Sequence, residues 1–416
     1  MRELFPNNVS RRHSIFLIVF FLNYYRFFNC IVYSIPFFKY SAYVLDVFFA
    51  GYFLICAIKC NKTTYSLFEK SVNYIYIMIF VGLLVGIFDG QYVDYAIKWV
   101  ARSWLLWGIY YYFRIHKLPI NYALSLLKYL LLGSVVATII STLQFPNSWF
   151  GMSGEDAVGR IKESLAQRGV LRFNIPGKVL IVLFLFKEVQ NFVFSPKNIL
   201  RLGLMMVFLV MIGNRFPIAV CLFMILVLIL VSRSIKIKHK IQIALCVTFL
   251  CATIFIIPAT RNIISKLVTL TERGGVNGVS DENIRVLSAT YFFTEFNAPD
   301  DNYHIIMGNG IGFPNSGKYA DKLTYLQDTY HFFVSDVGYS AIFIYFGIFG
   351  LFIFFYWLIS GICINSSRQY NYIKHFFIFV TISMICGGYW FEYFPEISMM
   401  SYMLVKSNHL LLKKAV

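Results

Sequence analysis

Apolar runs of about twenty residues recur along this chain, separated by short connectors that carry much of its positive charge. A helix needs about 20 mainly apolar residues to cross a bilayer, and only helices or closed barrels satisfy their backbone groups there. The runs lie at about 14–34, 40–58, 72–88, 93–113, 121–143, 176–195, 198–213, 216–232, 241–259, 336–360, 374–391 and 395–411. They predict an all-α polytopic membrane protein with about 12 transmembrane helices, a single integral membrane domain over residues 1–416. The run at 198–213 is short, and that at 395–411 (EISMMSYMLVKSNHL) is the least apolar, so ten or eleven spans are the alternative counts.

Connector charge tests that count, because Lys and Arg accumulate on the cytoplasmic side. The N-terminal tail has Arg2, Arg11 and Arg12, and every even connector is basic: Lys59, Lys62 and Lys70; Arg114 and Lys117; Lys187, Lys197 and Arg201; Arg233, Lys236, Lys238 and Lys240; Arg368 and Lys374. The C-terminal tail adds Lys406, Lys413 and Lys414, whereas the odd connectors SIPFFKY and DGQYVD hold one Lys and none. The expectation is a multi-pass protein with cytoplasmic N- and C-termini. Its basic start, MRELFPNNVSRRHS, reads as a tail before a retained first span, because no small-residue cleavage site follows.

Composition excludes the other classes. The chain is 58% hydrophobic and 14% charged, against about 25% charged residues in an ordinary soluble domain. With the net charge of +17 spread over connectors rather than gathered on a soluble module, no nucleic-acid partner is expected; membrane lipids are. Cys30, Cys56, Cys221, Cys246, Cys251, Cys363 and Cys386 lie in apolar runs and Cys60 at the edge of one, which reads as small buried residues without a disulfide framework.

The topology leaves two long segments outside, 144–175 and 260–335, the second too long for a passive loop. Within the second, 281–296 and 318–330 are compatible with helices, and GNGIGFPNSG between them is rich in turn residues. MGNGIGF (307–313) lacks the strand-to-helix context and the Lys-Ser/Thr of a phosphate-binding loop, so its glycines read as a tight turn near the membrane surface.

Ionisable residues in or near the membrane are the first functional candidates, since they are costly there. Arg215, in MIGNRFPIAV, stands at the outer hinge between two spans. It is either a snorkelling side chain or a guanidinium for an anionic group, with Pro217 starting the next helix. Arg102 lies deeper, among Trp99, Trp104 and Trp107; its bland reading is a structural pair with Asp46. Arg26 and Lys128 are similar but less distinctive. Arg285 lies in DENIRVLSATYFFTEF, where, for the loop taken by itself, an amphipathic surface helix with a solvated Arg is the favoured reading. In DTYHFFVSDVGYSAIFIYFGIFG, a continuous helix would put Asp328 and His331 on one face. Asp336 and His331 are candidate general bases for a sugar hydroxyl; otherwise His331 is an interfacial aromatic and Asp336 a helix N-cap. The outer segments show no zinc-like His/Glu pair or Asp-x-Asp motif, so neither metal nor cofactor is expected.

At these residues the chain resembles the bacterial O-antigen polymerase (Wzy) family and the related O-antigen ligases. The resemblance spans nearly the whole length: many spans, one dominant outer segment late in the chain, an Arg-bearing hinge before it, an Arg and then GNGIG inside it, and a polar residue opening the next span before GIFG. It implies a GT-C-like architecture in the bacterial inner membrane, with a large periplasmic loop before the tenth span. The implied reaction is metal-independent glycosyl transfer from an undecaprenyl-pyrophosphate-linked oligosaccharide, with Arg215 and Arg285 holding the pyrophosphate as its charge grows and Arg102 as a further basic candidate. Ligases resemble each other in a His followed by Asn, Ser or Gln at the place occupied here by Asp336 and Val337; His331 falls five residues earlier. That favours polymerase over ligase and leaves the base open between Asp336 and His331. A chain-length regulator is a candidate partner, and a flippase or other secondary transporter the rival from another class.

Overall fold

The computed structural model of the chain describes residues 9–60, 66–151, 158–159, 161–162, 171, 173–192, 195–209, 215–231, 237–238, 240–241, 284–297, 302–311, 317–387 and 393–415. Every regular element among them is helical. In chain order the helices are α1 (Arg11–Tyr24), α2 (Pro36–Lys59), α3 (Leu67–Phe88), α4 (Val93–Arg102), α5 (Ile109–Ile115), α6 (Ile120–Gln144), α7 (Leu180–Gln190), α8 (Pro196–Leu209) and α9 (Arg215–Val231). They continue with α10 (Ile284–Thr294), α11 (Asn302–Met307), α12 (Gly317–Tyr330), α13 (Gly338–Cys363), α14 (Asn371–Ser383) and α15 (Phe394–Ala415). Four of them, α2, α3, α6 and α13, are long and apolar enough to cross a membrane. The expected span 241–259 and residues 260–283 lie, but for Ile241, outside the described residues.

The chain forms two compact units. The first comprises Met1–Phe27, Ile35–Tyr129 and Ile284–Val416. Here α13 runs along α3, with Ser71 and Ser360 hydroxyls 3.0 Å apart and Phe68 edge-on to Phe377 of α14. Helix α3 starts cleanly because Ser66 caps it, accepting from the Glu69 amide at 3.2 Å. Glu69 itself is fully buried and pairs with Arg114 at the end of α5. The second unit comprises Phe28–Ser34 and Leu130–Asn283. Its core gathers Ala137, Ile161, Phe173 and Ile175 with Phe28, Phe145 and Phe150 around them, and α8 and α9 pack on α7.

Several expected spans are not single helices. The run 14–34 breaks after Tyr24: Arg26, Phe27, Phe28 and Asn29 all take left-handed backbone, with φ between 47 and 62°, a conformation costing an L-residue about 1–2 kcal/mol. Arg26 compensates by forming a buried bidentate pair with Asp46 (Nη1 to Oδ1 3.1 Å, Nη2 to Oδ2) and donating to Asn23 O at 2.9 Å. Asn23 Nδ2 completes the Asp46 shell at 2.8 Å. The run 93–113 divides into α4, a 3-10 turn over Trp104–Gly108, and α5. Among the described residues of 176–195 only α7 is regular α-helix, and those of 374–391 form α14 and a following 3-10 turn.

The least apolar run is instead a continuous 22-residue helix, α15, buried over most of its length. Its polar side chains serve neighbouring backbone rather than water. Ser398 donates to Trp107 O at 2.6 Å and accepts from Tyr110 N at 3.2 Å, satisfying the break between α4 and α5. Tyr402 donates to Leu118 O at 2.6 Å, and Lys406 to Lys117 O and Leu118 O at 3.0 and 2.5 Å. Of the cysteines, Cys30, Cys56, Cys60 and Cys221 are free and buried and Cys363 is free and exposed; Cys246 and Cys251 are outside the described residues.

Two measurements check these pairings. Asp46→Ala leaves the Arg26 guanidinium buried without its counter-charge and is expected to cost about 3–5 kcal/mol. Adding Arg26→Met should recover most of that loss in thermal unfolding of the detergent-solubilised protein. His116, in the connector after α5, has its ring centroid 4.3 Å from that of His13, the planes tilted by 47°; burial first, and then the neighbouring His13, hold its pKa below the usual 6.5. Its folded-state pKa is therefore below its unfolded one, so its stabilisation is complete above about pH 6.5 and is lost as pH falls toward the folded value. His116→Phe should flatten the acid side of the melting-temperature profile; an unchanged acid side would refute this.

Candidate functional site

The described parts of 260–335 do not hang free of the bundle; they are built onto α13. Phe292 of α10 and Phe296 just after it meet Leu323 and Leu326 of α12, Val334 of the segment after it, and Ala341 and Ile344 of α13. Burying such side chains contributes about 1.5–3 kcal/mol each, enough to fix two short helices that would not be stable alone.

A glycine turn then locks the segment in place. Gly347 takes φ 65° and ψ −164° inside α13, a conformation closed to residues with a Cβ, and breaks the helix there. At that break Ile344 O accepts from Asn309 N at 2.8 Å and Tyr345 O from Gly310 N at 3.1 Å. Ile311 N reaches across to Gly82 O of α3 at 3.3 Å. Gly308 and Gly310 both have φ +77°, and a Cβ on Gly308, Gly310 or Gly347 would collide with the backbone of Tyr345 and Phe346, of Gly82 and Gly86, or of Ile306. The turn thus places its backbone between α3 and α13 with its polar groups paired, as irregular backbone packed between two apolar helices requires.

Polar side chains frame the turn. Asn309 Nδ2 donates to Asn297 Oδ1 at 2.9 Å and Ile344 O at 3.1 Å, and Asn297 Nδ2 to His304 O at 3.3 Å. His304 Nδ1 lies 3.1 Å from Gly308 O and 3.4 Å from Asp89 Oδ2 at the end of α3. Two residues on, the Gln91 amide is buried at 4% exposure with neither its oxygen nor its nitrogen hydrogen-bonded.

The sequence-derived candidates are placed as follows. Helix α12 ends at Tyr330, and His331 takes left-handed backbone (φ 57°), its amide bonded to Gln327 O at 3.1 Å. Its side chain is exposed. A continuous helix through Asp328, His331 and Asp336 therefore does not form. Asp336 closes a 3-10 turn over Val334–Asp336 and is half-buried. It does not cap α13: the N-cap is Val337, without a side-chain hydrogen bond. The N-cap reading of Asp336 is corrected, because the 3-10 turn ends one residue before the position where a cap acts. Arg285 is exposed in the first turn of α10, one turn before the buried Ser288. Arg285, His331 and Asp336 thus belong to elements that share one small core.

Arg102 lies elsewhere in the same unit. Its expected pairing with Asp46 is replaced by Arg26, and both guanidiniums face the Tyr43 ring, at 5.5 Å for Arg26 and 5.8 Å for Arg102. No carboxylate lies within 4 Å of Arg102 among the described residues. Arg215 opens α9 in the second unit, and its side chain is outside the described set.

Two features escaped the sequence reading. Glu396 is fully buried in α15 and accepts from the Tyr25 hydroxyl at 2.5 Å; the two are far apart in sequence, and only the low hydropathy of 395–411 hinted at a buried polar helix. The His304–Asp89 pair joins the 260–335 segment to the DGQYVD connector, and nothing in either stretch announces the other. Among the described residues, no group of three His, Cys, Asp or Glu is placed to hold a metal ion.

Fold and site together define a helical protein with helices long and apolar enough to cross a membrane and a polar segment built onto a broken one. No protein-family model matches the chain, and no curated protein matches it.

Gly308→Ala and Gly347→Ala are expected to abolish accumulation of folded protein, since each places a Cβ against backbone in a left-handed conformation. Gly51→Ala, in open space within α2, should be neutral or stabilise by up to about 1 kcal/mol. Expression and size-exclusion profiles of the three variants distinguish the cases.

Proposed function

We propose that this chain is an O-antigen polymerase of the Wzy type. On this reading it joins undecaprenyl-pyrophosphate-linked oligosaccharide repeats at the periplasmic face of a bacterial inner membrane. The observation that carries the reading is the docking of the late outer segment. Helices α10 and α12 seat on the broken α13, so Arg285, His331 and Asp336 stand on one frame beside a membrane-type helix. The finer topology belongs to the same reading: about 12 spans in a GT-C-like arrangement, both termini cytoplasmic, and periplasmic segments at 144–175 and 260–335.

The chemistry is a displacement at the anomeric carbon. The growing chain leaves its undecaprenyl pyrophosphate, and a hydroxyl of the incoming repeat attacks. Arg285 and Arg102 supply positive charge for the pyrophosphate, where charge develops in the transition state; Arg215, in the second unit, is a separate basic candidate for that role. Arg102 suits this role in having no carboxylate partner within 4 Å among the described residues, while Arg26 is neutralised by Asp46. Asp336 or His331 takes the hydroxyl proton. A chain-length regulator would act on the polymer rather than on this chemistry.

A second reading has specific support. Secondary transporters place broken helices and buried ionisable groups around a central site. The left-handed break after α1, the turn between α4 and α5, the buried Arg26–Asp46 pair and Glu396 fit a flippase for lipid-linked oligosaccharide.

A lipopolysaccharide gel of a strain lacking this protein separates the readings. Loss of the ladder with core plus a single repeat retained is the polymerase outcome. Core alone with polymer accumulating on the carrier means a ligase, and single repeats trapped on the inner leaflet mean a flippase. Within the polymerase outcome, Arg285→Ala and Arg215→Ala should each shorten the chains; unchanged length and yield in both would refute the pyrophosphate role.

A further inference from the structure

We infer that Arg102 and the Tyr43 hydroxyl form a binding site for a membrane-borne phosphate group, kept free by the buried Arg26–Asp46 pair beside it. The inference deepens the polymerase reading of Arg102 and rests on that reading only for which lipid carries the phosphate. Two guanidiniums stand at the one Tyr43 ring, 5.5 Å (Arg26) and 5.8 Å (Arg102) from its centroid. Their situations differ. Arg26 is buried, and its N–H groups go to both Asp46 oxygens and to Asn23 O. Arg102 is half-buried, and among the described residues it has neither an ion pair nor a hydrogen bond. A ring face holds a cation through its π electrons and uses none of its N–H donors. The Arg102 fork is therefore placed but unspent, the state in which a guanidinium grips a phosphate through two parallel bonds.

Charge balance points the same way. Arg26, Asp46 and Arg102 together carry one net positive charge, and Arg102 is near enough for its field to act on Asp46. Asp46 is already engaged by Arg26 and by Asn23 Nδ2 at 2.8 Å. Two like charges at one ring repel, and an anion on Arg102 removes that cost. The Tyr43 hydroxyl, also without a hydrogen bond among the described residues, adds a neutral donor at the same ring. The place suits a lipid headgroup. Helix α4 ends at Arg102 after ten residues, about half the length a span needs. It buries Ala96, Val100 and Ala101 and exposes Ile97 with Asp94 and Lys98, the mixed face of a helix at a membrane surface.

Arg102 and Tyr43 are then the binding residues, and Arg26 and Asp46 positioning residues acting through Arg102. By saturating Asp46, Arg26 keeps that carboxylate from neutralising the second guanidinium. Binding makes and breaks no covalent bond: phosphate oxygens accept from the Arg102 fork and from the Tyr43 hydroxyl. The group recognised is a phosphate ester at the end of a lipid tail, which a polyprenyl pyrophosphate and a glycerophospholipid headgroup share.

The test reads lipid retention by the full-length protein in native mass spectrometry, with undecaprenyl pyrophosphate, phosphatidylglycerol and inorganic pyrophosphate as separate probes. The wild type should retain undecaprenyl pyrophosphate. Arg102→Met gives up no internal ion pair, so it should elute as folded protein and bind about 10-fold more weakly or worse. Tyr43→Phe keeps the ring and should lose about 3-fold or more. Arg26→Met releases Asp46 to neutralise Arg102 and should weaken binding as Arg102→Met does. Arg26→Met combined with Asp46→Ala should restore it, a recovery that a merely structural pair does not produce. Arg102-dependent retention of phosphatidylglycerol as tight as that of the carrier would support the phosphate site and assign it to bulk lipid. Retention of inorganic pyrophosphate alone would overturn the membrane-borne ligand. Wild-type protein that retains neither lipid, or folded Arg102→Met protein that retains the carrier as tightly as wild type, would overturn the inference. Elongation is not read, so an intact lipopolysaccharide ladder in the deletion strain overturns the polymerase reading and leaves the binding result standing.

Discussion

The backbone hydrogen bonds between the Gly308–Gly310 turn and the break at Gly347 hold the segment before α13 in place in the first unit. A backbone carbonyl buried without a partner costs about 1–3 kcal/mol, and a break inside an apolar helix creates such groups where water is scarce. Here Ile344 O and Tyr345 O find donors in Asn309 and Gly310, while Ile311 ties the turn to Gly82. The helix can therefore break only because the turn is there, and the turn can sit between α3 and α13 only because three glycines leave the backbones free to touch. Each half of the arrangement makes the other possible, and the helices α10 and α12 inherit a fixed place from it.

The same pairing of polar groups governs the rest of that unit. Where α4 gives way to the 3-10 turn at Trp104–Gly108, Ser398 bonds both sides of the interruption. Where α1 turns left-handed, the Arg26 guanidinium closes the turn onto Asn23 O and Asp46. Helix α15 supplies many of these contacts, which is why so polar a sequence is buried. It faces backbone groups of its neighbours, and hydroxyls and an amine serve there better than leucines.

These devices fix where the polar and charged groups of the first unit stand. The apolar core around Phe292 and Phe296 sets the elements bearing Arg285, His331 and Asp336. The glycine turn sets His304 against Asp89. Such preorganisation is what charge stabilisation and proton transfer need, because groups already in position add no reorganisation cost during reaction. On the polymerase reading proposed above, a glycosyl transfer with a pyrophosphate leaving group asks little more of a protein than placed cations and an oriented base.

Much of this was legible in the sequence. Apolar period and length disclosed the helical, membrane-type class, and the helices near 281–296 and 318–330 and the turn at 307–313 were readable from their residue types. What could not be read was where helices break. Arg26, Ser103 and Gly347 sit inside runs that look continuous by hydropathy, because hydropathy averages over side chains and is blind to a single backbone carbonyl's partner. Nor could pairings be read: Asp46 chose Arg26 over Arg102, and Asp89 met His304, through proximities that exist only once distant segments pack. The sequence by itself determined the solvent each segment prefers, since transfer energies are local sums over side chains. Tertiary structure alone decided which polar groups meet, since hydrogen bonds and ion pairs depend on ångström-scale distances between residues far apart in the chain.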